Sequence, residues 1–363
     1  MGVGGQRVKT AVLLCLVVAA SATARPTPGA ARGPVVGPVV GPVLSTYAHR
    51  QQITVVGGRS AVYGSTRIPV AEHAIDYVVM LHLHGAEAAA VYDTAAYNAR
   101  RVLRGVPFAD VTLWYTGGGG PRQIDVDYDP YTFGPWSRDN VTLWFKLQAP
   151  LDARPATDSH YVLAWGNARP VVRRNWAAIY PLQDNFDGPA LNAKRWITYA
   201  AGAVSVRSGI ATIASWSEWA GIYSRATYGD GYAVSARITM PPLPAQQQIN
   251  VGWATHLTGA PYYLAADVNT ISASRWQARM EVGTDTFFPI TSLDHAMHVY
   301  TVARDLSGVH YYWRDADRGC VSNQQASSSA LDVAAFTYRG AIARLDWVKV
   351  RPWIPDGPRA VER

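Results

Sequence analysis

Four groups of side chains in this 363-residue sequence have types and spacings that could do chemistry. Asp125, Asp127 and Asp129 alternate like the opening of a calcium loop. Such a loop needs Gly at its sixth position and Glu at its twelfth. Pro130 and Trp136 stand there instead. Alternation with Ile124, Val126 and Tyr128 reads more simply as a strand that turns its carboxylates to solvent. His82 and His84 share one strand face, and a zinc site would need further ligands beside them. A third group is a polar alternation. Arg275, Gln277, Arg279 and Glu281 oppose Trp276, Ala278, Met280 and Val282, and Ser235 and Arg237 alternate with Val234, Ala236 and Ile238. Asp267 shares a face with Tyr263 and Ala265. Polar faces of this kind supply the hydrogen bonds that hold sugars. The fourth group is Trp216 and Trp219, which flank Glu218 in a loop. They read as anchors at a core edge rather than as a sugar platform. No Ser-His-Asp or Cys-His set stands in a recognisable context.

These residues must be held by strands. The length suggests two domains. The chain is 48% hydrophobic and 16% charged, with 13 Trp and 20 Tyr against 7 Phe. That composition excludes disorder and a coiled coil. Two Cys exclude a disulfide scaffold. Period-two segments recur from Gln52 to Val56, Tyr77 to Leu83, Asp110 to Tyr115, Ile124 to Tyr128, Val141 to Leu147 and Tyr161 to Trp165. A second series runs from Val204 to Val350. The stretch Ala86 to Val102 is Ala-rich and predicts a short helix. Many short strands between Gly and Pro turns predict an all-β chain of two β-sandwiches, with the break near residues 180–184.

The N-terminus reads as a signal peptide over residues 1–24. Arg7 and Lys9 precede an apolar run, and Ala22-Thr23-Ala24 is a small-residue cleavage pattern. Residues 25–45 repeat Gly-Pro-Val and predict a semi-rigid linker. The first sandwich is expected over 46–183, the second over 184–354, and a tail over 355–363. No later stretch is long and apolar enough to span a bilayer. An exported protein without a transmembrane anchor is the expectation, with Cys320 as its lone thiol. The net charge is +7, and the basic residues are scattered. A nucleic-acid groove needs a clustered stripe, so nucleic acid is not expected as a partner.

The first half resembles a secreted prokaryotic domain of unknown function that often precedes a laminin-G-like or concanavalin-like module. Arg50 to Val55, Val141 to Leu147, and Tyr161 to Ala168 carry the resemblance. The last includes Trp165-Gly166-Asn167, where that family usually has Tyr-Tyr-Gly-Asn. The second half, opening at Asp184-Asn185-Phe186-Asp187-Gly188, resembles a concanavalin A-like jelly roll. Tyr228 to Pro241, His298 to Trp313 and Leu345 to Val350 are the matching stretches. Jelly rolls of this kind often bind a structural ion near their first strand, which makes Asp184 and Asp187 calcium candidates. The same resemblance places a ligand on the concave sheet, with Arg237, Asp267, Gln277, Arg279 and Glu281 as its expected lining. Glucanases of this fold carry a Glu-x-Asp-x-x-Glu strand, because retaining hydrolysis needs two close carboxylates. The sequence has five Glu and no such motif, and the strand in that position offers only Asp267. Recognition of a glycan or a surface-protein ligand is therefore expected ahead of catalysis. A structural module of an envelope or virus particle and a divergent glycoside hydrolase are the alternatives.

Overall fold

The computed structural model describes residues 44–57, 62–63, 66–67, 77–101, 110–132, 136–149, 151, 156–167, 170–171, 173, 175–199, 203–244, 246–255, 263–269, 275–280, 295–305, 308–313, 316–322, 330–353 and 359–362. The expected signal peptide and most of the expected linker lie outside them. Among the described residues, no helix is long and apolar enough to cross a membrane.

The alternating apolar segments of the first half form strands because each has one face to bury. They are β1 (His49–Val56), β2 (Val62–Tyr63), β3 (Thr66–Arg67), β4 (Val78–Leu83), β5 (Thr112–Tyr115), β6 (Arg122–Ile124), β7 (Val126–Tyr128), β8 (Val141–Lys146) and β9 (Thr157–Trp165). The Ala-rich segment is a helix, α1 (Gly85–Arg101), and a one-turn helix, α2 (Trp176–Ile179), follows β9. An antiparallel three-stranded sheet, β4-β8-β7, shares one core with the sheet that contains β1-β9-β5-β6. Ile53, Leu81, Leu113, Leu143, Phe145 and Leu163 meet there, fully buried.

The second half gives β10 (Leu182–Asp184), β11 (Trp196–Tyr199), β12 (Val204–Arg207), β13 (Ile210–Ala214), β14 (Ala220–Tyr228), β15 (Tyr232–Thr239), β16 (Gln248–Ala254), β17 (Tyr263–Asn269), β18 (Arg275–Met280), β19 (Met297–Asp305), β20 (Gly308–Trp313), β21 (Ala316–Ser322), β22 (Leu331–Tyr338) and β23 (Ile342–Pro352). One antiparallel sheet runs β12-β13-β23-β15-β19-β20-β21, with β10 also on β23. The other runs β11-β14-β22-β16-β17-β18. Trp196, Ile222, Ile238, Val251, Trp253 and Leu345 fill the space between them. Trp253 Nε1 donates to the Val302 carbonyl at 2.9 Å, which ties the two sheets through the core. The β22–β23 hairpin turns at Arg339 and Gly340, with φ of 50° and 86°. Two consecutive positive φ values are the signature of a type I′ turn, whose twist suits a hairpin.

The chain end departs from the sequence expectation. Arg359–Glu362, expected within a tail, is a strand, β24, paired antiparallel with Ile53 to Val56 of β1. Four residues, Arg-Ala-Val-Glu, are too few for periodicity to show a strand. The pairing completes a five-stranded sheet, β24-β1-β9-β5-β6, so the chain's last strand joins its first sheet.

Candidate functional site

The second sandwich has two faces turned away from its core, and both carry polar side chains. On the six-stranded sheet the core takes Ile222, Ile249, Val251, Trp253, Val333 and Ala335. Alternation therefore puts Gly221, Tyr223, Gln248, Asn250, Asp332, Ala334, Phe336 and Tyr338 on the opposite face. Asn250 stands opposite Phe336 on one side and Asp267 on the other, and Asp267 stands opposite Gln277. Arg279 lies opposite Ala265, two positions along. Three of the expected lining residues thus fall on neighbouring positions of two paired strands.

The centre of this face is an amide pair. Gln248 Nε2 donates to Asn250 Oδ1 at 2.9 Å, and both residues are fully buried. Asn250 Nδ2 has no acceptor among the described residues. A buried amide N–H left unmade costs about 1–3 kcal/mol. Beside the amides lie rings. Trp219 stacks on Tyr338 at 4.5 Å and meets Phe336 edge-on at 5.2 Å. Burial holds the Tyr223 phenol well above its usual range, and Tyr199 and Asp332 add to the effect. Gly221 is required here: a Cβ would sit 2.6 Å from Phe336 Cβ and 2.8 Å from the Ala335 carbonyl oxygen.

Arg237 is not on this sheet. It lies on β15, in the eight-stranded sheet, where it bonds the Asp346 carboxylate and lies 4.1 Å over the Tyr131 ring. Alternation shows which residues of one strand share a face, but not which sheet that strand joins. Glu281 lies outside the described residues.

The outer face of the eight-stranded sheet is the seam with the first sandwich. Lys349 Nζ donates to Asp127 Oδ2 at 2.5 Å, and Tyr180 Oη donates to the same oxygen at 2.7 Å. Lys349 Nζ lies 4.3 Å from the Trp347 ring, 4.6 Å from Trp176 and 5.5 Å from Tyr180. Arg351 lies 4.8 Å over Trp144. Asp129 accepts Trp144 Nε1 at 2.8 Å together with the backbone N–H groups of Tyr131 and Thr132. A cavity of about 20 Å³ remains between Asp129, Trp144, Tyr180, Trp347, Lys349 and Arg351. That is room for about one ordered water.

This corrects the reading of Asp125 to Asp129 as a solvent-facing strand. Asp127 is 0% exposed and Asp129 is 2% exposed. Burial raises the Asp127 pKa above its ordinary value, and the Lys349 ammonium offsets only part of the shift. Burial also raises the Tyr180 phenol well above its usual value, and the Asp127 charge adds to the effect. The missed signal was on β23, where Trp347 sits beside Lys349 and Arg351 on the face turned from the core. A Trp there indicates that something covers the face.

Asp184 and Asp187 serve the chain itself. Asp184 Oδ1 accepts the Phe186 N–H at 2.9 Å, and Oδ2 accepts Trp196 Nε1 at 2.7 Å. Asp187 accepts the Asn185 side-chain amide. Both Asp184 oxygens accept hydrogen bonds from protein donors. His82 and His84 rings are 3.9 Å apart. Burial lowers the His82 pKa, and the His84 charge lowers it further. Among the described residues, no three metal-ligating side chains gather. Trp216 also departs from its reading as a core-edge anchor. It is 84% exposed, while Trp219 packs on Phe336.

These sheets define the chain as an all-β protein of two antiparallel sandwiches. No protein-family model matches it, and no curated protein matches it. Solved structures similar to the second sandwich include an immunostimulatory antigen and pseudo beta-1,3-glucanase of Mycobacterium tuberculosis. That chain is 12% identical, with 48% of this chain and 99% of that one covered, at a TM-score of 0.42. A family 16 glycosyl hydrolase protein from Mycobacterium smegmatis is 16% identical, covering 47% and 99%, at 0.38. The Bacillus licheniformis beta-glucanase is 11% identical, covering 47% and 97%, at 0.40.

Proposed function

We propose that this chain is an exported, non-catalytic recognition protein whose second sandwich binds carbohydrate on the outward face of its six-stranded sheet. The observation that carries the reading is the amide pair of Gln248 and Asn250, with an N–H lacking an acceptor among the described residues. Asp267 and Gln277 continue the same row of the sheet. Amides and a carboxylate beside aromatic rings are the groups that hold sugar hydroxyls and sugar faces. Retaining hydrolysis needs a second carboxylate close to the first, and β17, Tyr-Leu-Ala-Ala-Asp-Val-Asn, has only Asp267. The signal-like first 24 residues support export. The Trp165-Gly166-Asn167 segment supports reading the first sandwich as the secreted domain of unknown function.

A glycan array on the full chain, with and without calcium, tests the proposal. Binding is expected, with a loss of at least tenfold in affinity on Asp267→Asn and no release of reducing sugar. Silence across the array at high protein concentration would overturn it. Sugar release from β-glucan that disappears in Asp267→Asn would replace it with hydrolysis.

A further inference from the structure

The seam between the sandwiches holds a primary amine against a carboxyl group. Lys349 Nζ lies 2.5 Å from Asp127 Oδ2, and the two side chains are 8% and 0% exposed. The same oxygen accepts Tyr180 Oη at 2.7 Å, whereas Asp127 Oδ1 has no hydrogen-bond partner among the described residues. The rings of Trp347, Trp176 and Tyr180 crowd the amine at 4.3, 4.6 and 5.5 Å. The pair joins β7 to β23, so its two members are 222 residues apart and belong to different sandwiches.

Such a pair is costly as two ions and reactive as two neutral groups. Taking both charges out of water carries a desolvation penalty that their attraction need not recover. Burial raises the Asp127 pKa, and the Asp129 charge adds to the rise, while Lys349 and the Tyr180 hydroxyl offset only part of it. A proton passed from Lys349 Nζ to Asp127 Oδ1 leaves a carboxylic acid in contact with a free amine. Two groups fixed in an aligned contact react at effective concentrations on the order of 10⁵ M or above. Asp129 does not compete for the amine. Its Oδ1 accepts the N–H groups of Tyr131 and Thr132, and its Oδ2 accepts Trp144 Nε1 and the Thr132 hydroxyl.

We propose that Lys349 and Asp127 condense to an isopeptide bond that joins the two sandwiches covalently. Nζ attacks Asp127 Cγ, and a C–N bond forms as the Cγ–Oδ1 bond breaks. Negative charge that develops on Oδ2 meets the Tyr180 hydroxyl, which stands as an oxyanion donor. Oδ1 leaves as water, with the proton it holds and a second one from Nζ. An ammonium and a carboxylate thus become an amide and one water, with no oxidant and no cofactor. The water has room beside the pair, in the cavity of about 20 Å³ lined by Lys349, Tyr180 and Trp347. The product removes both buried charges and the oxygen that lacks a partner, and Tyr180 keeps its acceptor as the amide carbonyl. The salt bridge is the reactant state, and ion-pair energetics apply to chain that has not condensed. The proposal is independent of the carbohydrate reading.

The test is mass spectrometry of the full chain, freshly purified and aged for days at neutral pH. Condensation makes the chain lighter by one water. It also fuses the tryptic peptide Gln123–Arg138 to the peptide that holds Lys349, after which trypsin no longer cuts because the amine is acylated. Lys349→Arg keeps the cation but not the primary amine, and it is expected to keep its full mass and separate peptides. Tyr180→Phe should form the bond about tenfold more slowly or worse, for want of the oxyanion donor. Wild-type chain that keeps its full mass and separate peptides after aging overturns the proposal. So does a one-water loss that leaves the two peptides separate or persists in Lys349→Arg, since succinimides at Asp187-Gly188, Asp230-Gly231 or Asp356-Gly357 lose the same mass. Equal rates in wild type and Tyr180→Phe would remove Tyr180 from the step.

Discussion

The two outward faces of the second sandwich look alike in sequence and differ in what they do. β15 and β23 put Ser235, Arg237, Trp347, Lys349 and Arg351 on one face; β16 and β22 put Gln248, Asn250, Asp332 and Phe336 on the other. On the first face the cations meet carboxylates or rings. Lys349 meets Asp127, and Arg237 meets Asp346 on the same sheet and Tyr131 of the first sandwich. On the second face the central groups are neutral amides, and one N–H has no acceptor among the described residues. Alternation of polar residues marks a face that meets something. The two faces differ in charge: cations that meet carboxylates or rings line the first, and neutral amides form the centre of the second.

The matched face can be broken most sharply at Lys349. Removing one partner of a buried ion pair costs about 3–5 kcal/mol. Lys349→Met should lower the urea midpoint by that order at neutral pH. Adding Asp127→Asn should restore part of the loss, because the orphaned carboxylate is then gone. If the double variant is no more stable than Lys349→Met, the seam does not depend on this pair. Neither change should alter the glycan affinity of the six-stranded face.

A smaller effect follows from titration. Burial raises the Asp127 pKa in the folded chain, against the partial offset of Lys349, and Asp129 raises it further; Tyr180 also faces the carboxylate. The unfolded chain has an ordinary Asp value of about 3.9. A group that holds its proton more tightly when folded contributes stability below its unfolded value, and that contribution is lost as pH rises through the folded value. Wild type should therefore lose stability relative to Asp127→Asn as pH rises across that window. Urea midpoints of both proteins from pH 3 to 8 check this. A wild type that gains on the variant with rising pH would contradict it.

Much of the fold was legible because it depends on patterns longer than five residues. The long alternating runs became β1, β8, β9, β15 and β23, and the Ala-rich run became α1. The strands that carry Asp267, Gln277 and Arg279 were legible for the same reason, as β17 and β18. What was not legible required knowing which surfaces meet. Asp127 looked solvated because its strand alternates, and its partners Tyr180 and Lys349, the latter more than 200 residues on, are brought to it by the fold. Arg237 looked like a companion of Asp267 because strand faces do not reveal sheet membership. β24 was hidden because four residues carry no period. The exposure of Trp216 is likewise a three-dimensional fact, since a Trp near Gly and Ser turns reads first as an anchor.

The smallest expected effect sharpens the comparison at the margin of the seam. Arg237 and Asp346 are each 24% exposed, so water screens their charge–charge attraction. The guanidinium also covers the Tyr131 ring at 4.1 Å, a contact between the two sandwiches. A partly exposed cation–π contact contributes about 0.5–1 kcal/mol, and an exposed ion pair about as much. Arg237→Gln should lower the urea midpoint by about 1 kcal/mol in free-energy terms. Tyr131→Leu, which leaves the Asp346 pair intact, should account for about half of that. High salt should erase the Asp346 share and spare most of the Tyr131 share, because a face-on ring contact depends less on ionic strength. If Arg237→Gln instead abolishes glycan binding with the midpoint unchanged, Arg237 belongs to ligand recognition after all, and the division between a matched face and a ligand face fails at this residue.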